Sequence, residues 1–225
     1  VRDSDVVILG VPEDRGILAN KGRAGAAKGP DDVRRRLYKL TPGFNMDLDR
    51  IRVIDAGNIS TKGLTLEEVH LALQEAVSDA VSRGGIPLVI GGGHDLTYPG
   101  LAGLVRGAGL KKDSLGLINV DSHLDVRTDE SGINSGTSFY RALTQLPNKA
   151  LSGNAFVEFA IQEPYNSPYY YNWVKKQGGS VFTLKEVSER VMESFLQALS
   201  IVSKKGRTVA LSLDIDAVRS TEAPG

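Results

Sequence analysis

Three segments of this 225-residue chain end an apolar run in groups able to hold a metal or move a proton. Ile86-Pro-Leu-Val-Ile-Gly-Gly-Gly-His-Asp95 runs from a strand pattern into three glycines and presents His94 at its carboxyl end. Leu115-Gly-Leu-Ile-Asn-Val-Asp-Ser-His-Leu-Asp125 ends in Asp121, His123 and Asp125 at alternate positions, and Thr208-Val-Ala-Leu-Ser-Leu-Asp-Ile-Asp216 ends in Asp214 and Asp216. Alternate residues of an extended chain point to one side, so each exit is expected to gather its ionisable groups. Carboxylates crowded in this way repel one another and rise in pKa unless a cation compensates them. A divalent metal is the natural cation.

Taken singly, each segment has a bland explanation. A lone histidine after a strand is as readily a core or surface residue, and one Asp-x-Asp is weak evidence. Together they offer six donors, four of them carboxylates and two imidazoles, at the strand ends where α/β sheets bind ligands. Such a set favours a hard, near-octahedral ion such as Mn²⁺ over structural zinc, with Fe²⁺, Co²⁺ and Ni²⁺ left open by ligand type. Six donors also suit two ions about 3.5–4 Å apart that share bridging carboxylates. The phosphate-loop and dinucleotide glycine spacings are absent, which argues against nucleotide binding.

The elements that must position these groups alternate. Strand patterns occur at 5–12, 51–59, 86–91, 115–120, 155–162, 180–184 and 207–216, and all read as buried strands. Thr65 with Glu68 is a capping box opening a helix that carries Leu66, Val69, Leu73, Val77 and Ala80 on one face and ends at Gly84-Gly85. A second helix follows Gly29-Pro30-Asp31, and a third covers much of 186–204. Residues 163–173, with Tyr165, Tyr169, Tyr170 and Tyr171, read as a long loop running into a helix, and His70 reads as a surface residue of the capped helix. The βαβα order predicts one α/β domain over 1–225, a three-layer αβα sandwich around a mostly parallel sheet.

Composition narrows the function. Lys+Arg and Asp+Glu both number 27, so no general electrostatic affinity for nucleic acid or anionic membrane is expected. The absence of cysteine removes disulfides, thiolate metal sites and cysteine nucleophiles. No window approaches the roughly 20 apolar residues of a membrane helix, and the start lacks a signal-peptide layout. The expectation is a cytoplasmic protein acting on a small molecule. The start at Val1 and the stop at Ala223-Pro224-Gly225 fit a fragment that lacks C-terminal structure.

Gly91-Gly92-Gly93-His94-Asp95, Asp121-Ser122-His123-Leu124-Asp125 and Ser212-Leu213-Asp214-Ile215-Asp216 followed by Ala223-Pro224-Gly225 resemble the three signature motifs of the ureohydrolases, the superfamily of arginase, agmatinase and formimidoylglutamase. The resemblance spans nearly the whole chain. It implies the arginase-like fold and two Mn²⁺ per subunit, held by His94, Asp121, His123, Asp125, Asp214 and Asp216, with Asp121, Asp125 and Asp214 at or near the bridge. It also implies a homo-oligomer, trimer or hexamer, and an acidic substrate-holding residue in a segment after Gly225. Ser122 stands where the family usually has Ala.

Among the subfamilies, Asp125-Val126-Arg127 and Asn134-Ser135-Gly136-Thr137-Ser138-Phe139 look most like formimidoylglutamase, and Phe139 stands where arginases carry a histidine. Asn20-Lys-Gly-Arg-Ala-Gly-Ala-Ala-Lys-Gly-Pro30 with Arg34 also resembles a family segment. The implied reaction is hydrolysis of N-formimidoyl-L-glutamate to L-glutamate and formamide, a step of histidine degradation, with Asp125 and His123 as catalytic residues. Arg127 is the leading candidate to grip a substrate carboxylate, because a guanidinium can do so bidentately. Asn134, Ser135 and Gln162 complete the expected substrate contacts. The alternative is an agmatinase-, guanidinobutyrase- or arginase-type hydrolase that releases urea. A metal phosphatase is disfavoured by the lack of a basic cluster beside the motifs, and a ligand-depleted binding member by the six intact donors.

Overall fold

The computed structural model describes residue 1, residues 5–41 and residues 51–218, so the Ala223-Pro224-Gly225 end of the third motif lies outside the described residues. The chain divides into two compact units: Val1–Gly109 with Ile133–Ser135, and Leu110–Gly132 with Gly136–Gly225.

The first unit carries a three-stranded parallel sheet in the order β2-β1-β3, from β1 (Val6–Gly10), β2 (Val53–Asn58) and β3 (Ile86–Ile90). Its helices are α1 (Arg15–Ala19), α2 (Gly29–Leu37), α3 (Leu66–Ser82) and α4 (Thr97–Gly107). Val7, Leu9 and Val11 on one face of the β1 segment pack against Val69, Leu73, Val77 and Ala80, the apolar stripe of α3. The Thr65–Glu68 capping box that opens α3 forms as expected. Arg34 of α2 donates from Nε and Nη2 to the two carboxylate oxygens of Asp55 on β2, and these bonds above all hold that carboxyl down at about 2.

The second unit carries a four-stranded parallel sheet in the order β6-β5-β4-β7, from β4 (Leu115–Val120), β5 (Leu151–Ile161), β6 (Ser180–Thr183) and β7 (Thr208–Leu213). Alternation along β5 gives helices to both faces. Phe156 meets Phe139 of α5 (Ser138–Gln145) with ring centroids 5.4 Å apart. Phe159 points to the other face and takes Phe195 of α8 (Val191–Val202) edge-on at 5.7 Å, a geometry worth about 0.5–1.5 kcal/mol beyond area burial. Two further helices, α6 (Pro168–Gln177) and α7 (Leu184–Val187), complete the layers.

Several expectations change in detail. The seven strands are present, but only β1, β4 and β5 are buried through most of their length, because β2, β3, β6 and β7 are sheet edges among the described residues. Leu211 and Leu213 of β7 are 59% and 61% exposed. Pro87 marks β3 as an edge, since proline cannot donate to a ladder on both sides. The helix expected over 186–204 is two helices, with Arg190 in a non-helical conformation between them. The tyrosine-rich segment is helical from Pro168, which takes the N1 position after a Ser167 cap.

Candidate metal centre

In the second unit the site grows from the ends of β4 and β7. Both strands stop one residue before an aspartate, and both aspartates do the same thing: Asp121 Oδ1 accepts from the His123 backbone N–H at 2.7 Å, and Asp214 Oδ1 accepts from the Asp216 backbone N–H at 3.0 Å. An aspartate bonding its own backbone two residues on is a turn former. The gathering of donors at alternate positions therefore comes from two matching turns, not from the extended strand expected of the sequence. Asp125 follows with φ +44°, a left-handed conformation uncommon outside glycine, and its carbonyl accepts from Phe139 N at 3.0 Å.

Asp121, Asp125 and Asp214 each offer a carboxylate oxygen within 4.8 Å of the others, and Asp121, His123 and Asp216 form a second such group. Asp121 is common to both and is fully buried. His123 is half-exposed, with Nδ1 2.9 Å from Asp216 Oδ2 and 3.6 Å from Asp121 Oδ1. Bonding to Asp121 first and to Asp216 second pushes the imidazole up to about 10, against the burial that would lower it.

The two aspartate turns are tied to one another. Ser122 Oγ donates to the Asp216 carbonyl at 2.8 Å and accepts from Gln162 Nε2 at 2.8 Å, while Ser122 N donates to Asp216 Oδ1 at 3.2 Å. Asn166 adds a clamp, its Nδ2 donating to the Ser122 and Gln162 carbonyls and its Oδ1 accepting from Leu124 N. Behind the site, Asn119 Nδ2 donates to Asp121 Oδ2 at 3.2 Å and to Glu158 Oε2 at 2.8 Å, all three residues being fully buried. Asn119, Glu158 and Asn166 lie outside the set expected from sequence. Asn119, two residues before Asp121 inside an apolar strand, was the available signal.

In the first unit His94 opens the 3-10 turn His94–Leu96 at the carboxyl end of β3. The glycines before it are there for space: a Cβ on Gly92 would lie 1.8 Å from the Glu13 carbonyl oxygen, and one on Gly93 would lie 2.2 Å from Asp95 Oδ1. Gly93 N donates to Glu13 O at 2.9 Å. Glu13 is buried, which raises its pKa, but hydrogen bonds from Arg15 outweigh burial and leave it lowered. His70, expected at the surface, is 6% exposed because its position on α3 faces the turn, where it meets Asp95.

The expected substrate contacts divide between the units. Asn134 and Ser135 belong to the first, where Ser135 Oγ accepts from Asn20 Nδ2 at 3.0 Å. That bond gives the Asn20 segment a structural role. Arg127 is exposed in the second unit, with its backbone N–H on the Gly136 carbonyl. Gln162 is in the second unit too, its amide bonded to Ser122. Phe139 is fully buried in the core.

Carboxylates and an imidazole brought together where parallel strands end define an α/β protein with a candidate centre for hard divalent ions. The fit to such an ion lies in the donors: a fully buried carboxylate beside three more is unfavourable without positive charge, and oxygen with imidazole suits Mn²⁺. The chain belongs to the Arginase family, which matches residues 4–225. It is similar to formimidoylglutamase of Cupriavidus pinatubonensis, 35% identical over 97% of this chain and 68% of the relative. It is also similar to formimidoylglutamase of Hahella chejuensis, 31% identical over 98% and 66%. The crystal structure of Trypanosoma cruzi formiminoglutamase with Mn²⁺₂ superposes with a TM-score of 0.89 at 35% identity, over 99% of this chain and 73% of that one. The chain thus spans about two thirds of the length of these curated relatives.

Proposed function

We propose that the protein is a binuclear-manganese hydrolase that cleaves the formimidoyl C–N bond of N-formimidoyl-L-glutamate to give L-glutamate and formamide. The observation that carries this is the pair of matching aspartate turns at the ends of β4 and β7, which gather Asp121, Asp125, Asp214, His123 and Asp216, in a chain whose relatives are named for that reaction. His94, Asp121, His123, Asp125, Asp214 and Asp216 are the proposed metal ligands. Two bound Mn²⁺ ions would supply an acidified water as nucleophile and Lewis-acid stabilisation of developing charge.

The chain's own groups do the rest. The Asp125 carboxylate takes the proton lost by the attacking water and returns it to the departing glutamate nitrogen, so that one water and one amidine become formamide and a free amine. His123, between Asp121 and Asp216, assists at the same face. Arg127, Asn134, Ser135 and Gln162 are assigned to the two carboxylates of the substrate, with Arg127 as the bidentate partner. Family resemblance alone supports a homo-oligomer, trimer or hexamer. Among the described residues no helix is long and apolar enough to cross a membrane.

The test is product analysis by the full-length, Mn²⁺-loaded protein offered N-formimidoyl-L-glutamate, arginine, agmatine and 4-guanidinobutyrate in parallel. Formamide from the first substrate alone is the expected result. Urea from a guanidino compound would keep the metal chemistry and overturn the substrate.

A further inference from the structure

We propose that His70 and Asp95 form a buried positioning pair that fixes the turn presenting His94, an inference that rests on the manganese reading above. His70 Nε2 donates to Asp95 Oδ2 at 2.7 Å, joining the middle of α3 to the residue next to His94 across 25 positions of sequence. The two residues are 6% and 1% exposed. Asp95 is the central residue of the 3-10 turn His94–Leu96, and Leu96, 3% exposed, anchors the far end of that turn in the core between β1 and α3. A bond to Asp95 therefore fixes the backbone from which the His94 imidazole is aimed.

The surroundings are shaped to the carboxylate. A Cβ on Gly16 would lie 2.0 Å from Asp95 Oδ1, and one on Gly93 would lie 2.2 Å from the same oxygen, so two glycines on separate segments leave room for one carboxyl group. Stability does not explain the pair. Among the described residues, His70 Nδ1 and Asp95 Oδ1 are buried without a hydrogen-bond partner, a net penalty that an apolar pair of similar volume would avoid. Polar groups held at that disadvantage beside a ligand are explained by the orientation they impose.

The pair makes His70 a positioning residue, and Mn²⁺ binding reads it without turnover. Full-length wild type, His70→Leu and His70→Gln are titrated with Mn²⁺, free ion being followed by electron paramagnetic resonance, and each metal-free protein is melted. Wild type is expected to take up two ions. His70→Leu should bind one of them about tenfold more weakly, at the low end for groups behind a ligand, while its metal-free melting temperature holds or rises. His70→Gln, whose amide reaches the same oxygen, should recover most of the affinity. Should His70→Leu fail to fold, His70→Asn, too short to reach Asp95, takes its place with the same expected weakening. Two ions bound as tightly as in wild type by the Leu or Asn variant would overturn the pair alone, whereas a wild type that binds no Mn²⁺ would overturn the reading beneath it.

Discussion

The two units bring their donors into place by opposite means. In the first unit one imidazole is presented by exclusion: Gly92 and Gly93 let the chain pass against Glu13 and Asp95 with no room for a side chain, and the turn is held from behind by His70. In the second unit the donors hold one another. Asp121 and Asp214 each close a turn with their own backbone, and Ser122, Gln162 and Asn166 lace the strand exits together. Placement by packing is intolerant of added atoms, whereas placement by a network of hydrogen bonds loses its members one at a time.

This contrast can be broken or sharpened by experiment. The largest effect is expected for Asp125→Ala, which removes a donor held in left-handed backbone: Mn²⁺ affinity should fall by more than about 100-fold, past the range for groups behind the ligands, and turnover with it. A variant that keeps both bound metal and turnover would remove Asp125 from the centre. Next comes pH. His123 holds its proton up to about 10 in the metal-free protein, above its ordinary value of about 6.5. Its contribution to stability is therefore fully present below about pH 6.5 and is lost as pH rises through about 10. Mn²⁺ must displace that proton, so affinity should climb by up to about tenfold per pH unit below 10, with proton release measurable by calorimetry in buffers of different ionisation enthalpy. Uptake without proton release would take His123 out of the ligand set.

Smaller effects separate the two modes directly. Gly92→Ala drives a Cβ to within 1.8 Å of a backbone oxygen that cannot swing away, and should destabilise the protein by about 1–3 kcal/mol in denaturant titrations. An unchanged midpoint would mean that the first-unit turn is not sterically fixed. Ser122→Ala removes one donor and one acceptor from the second-unit lacing and should be the mildest, about 1 kcal/mol, with both ions still bound. Loss of a whole ion in that variant would show the network to be less tolerant than its redundancy implies.

Much of this was legible from residue types. The apolar runs match all seven strands, and Thr65 with Glu68 matches the start of α3. The exposure of β3 and β7 was harder to see, because a run such as Ile86–Ile90 looks the same at a sheet edge as at its centre, and only Pro87 spoke for the edge. His70 departs from its expected surface position for a related reason. Its neighbours Glu67 and Gln74 are polar, yet on a helix of 3.6 residues per turn it falls beside Val69 and Leu73 on the face turned to the core.

Local sequence by itself determined which residues end strands, which begin helices and which atoms can bind a hard ion, since these depend on side-chain chemistry and on neighbours within a few positions. Tertiary structure alone decided that Asp121 is dry while His123 is half-exposed, that Ser122 joins three strand exits, that Gln162 is held by Ser122, and that His70 meets Asp95. Each of these depends on distance between residues far apart in the chain, and burial and hydrogen bonding follow that distance, which no local pattern encodes.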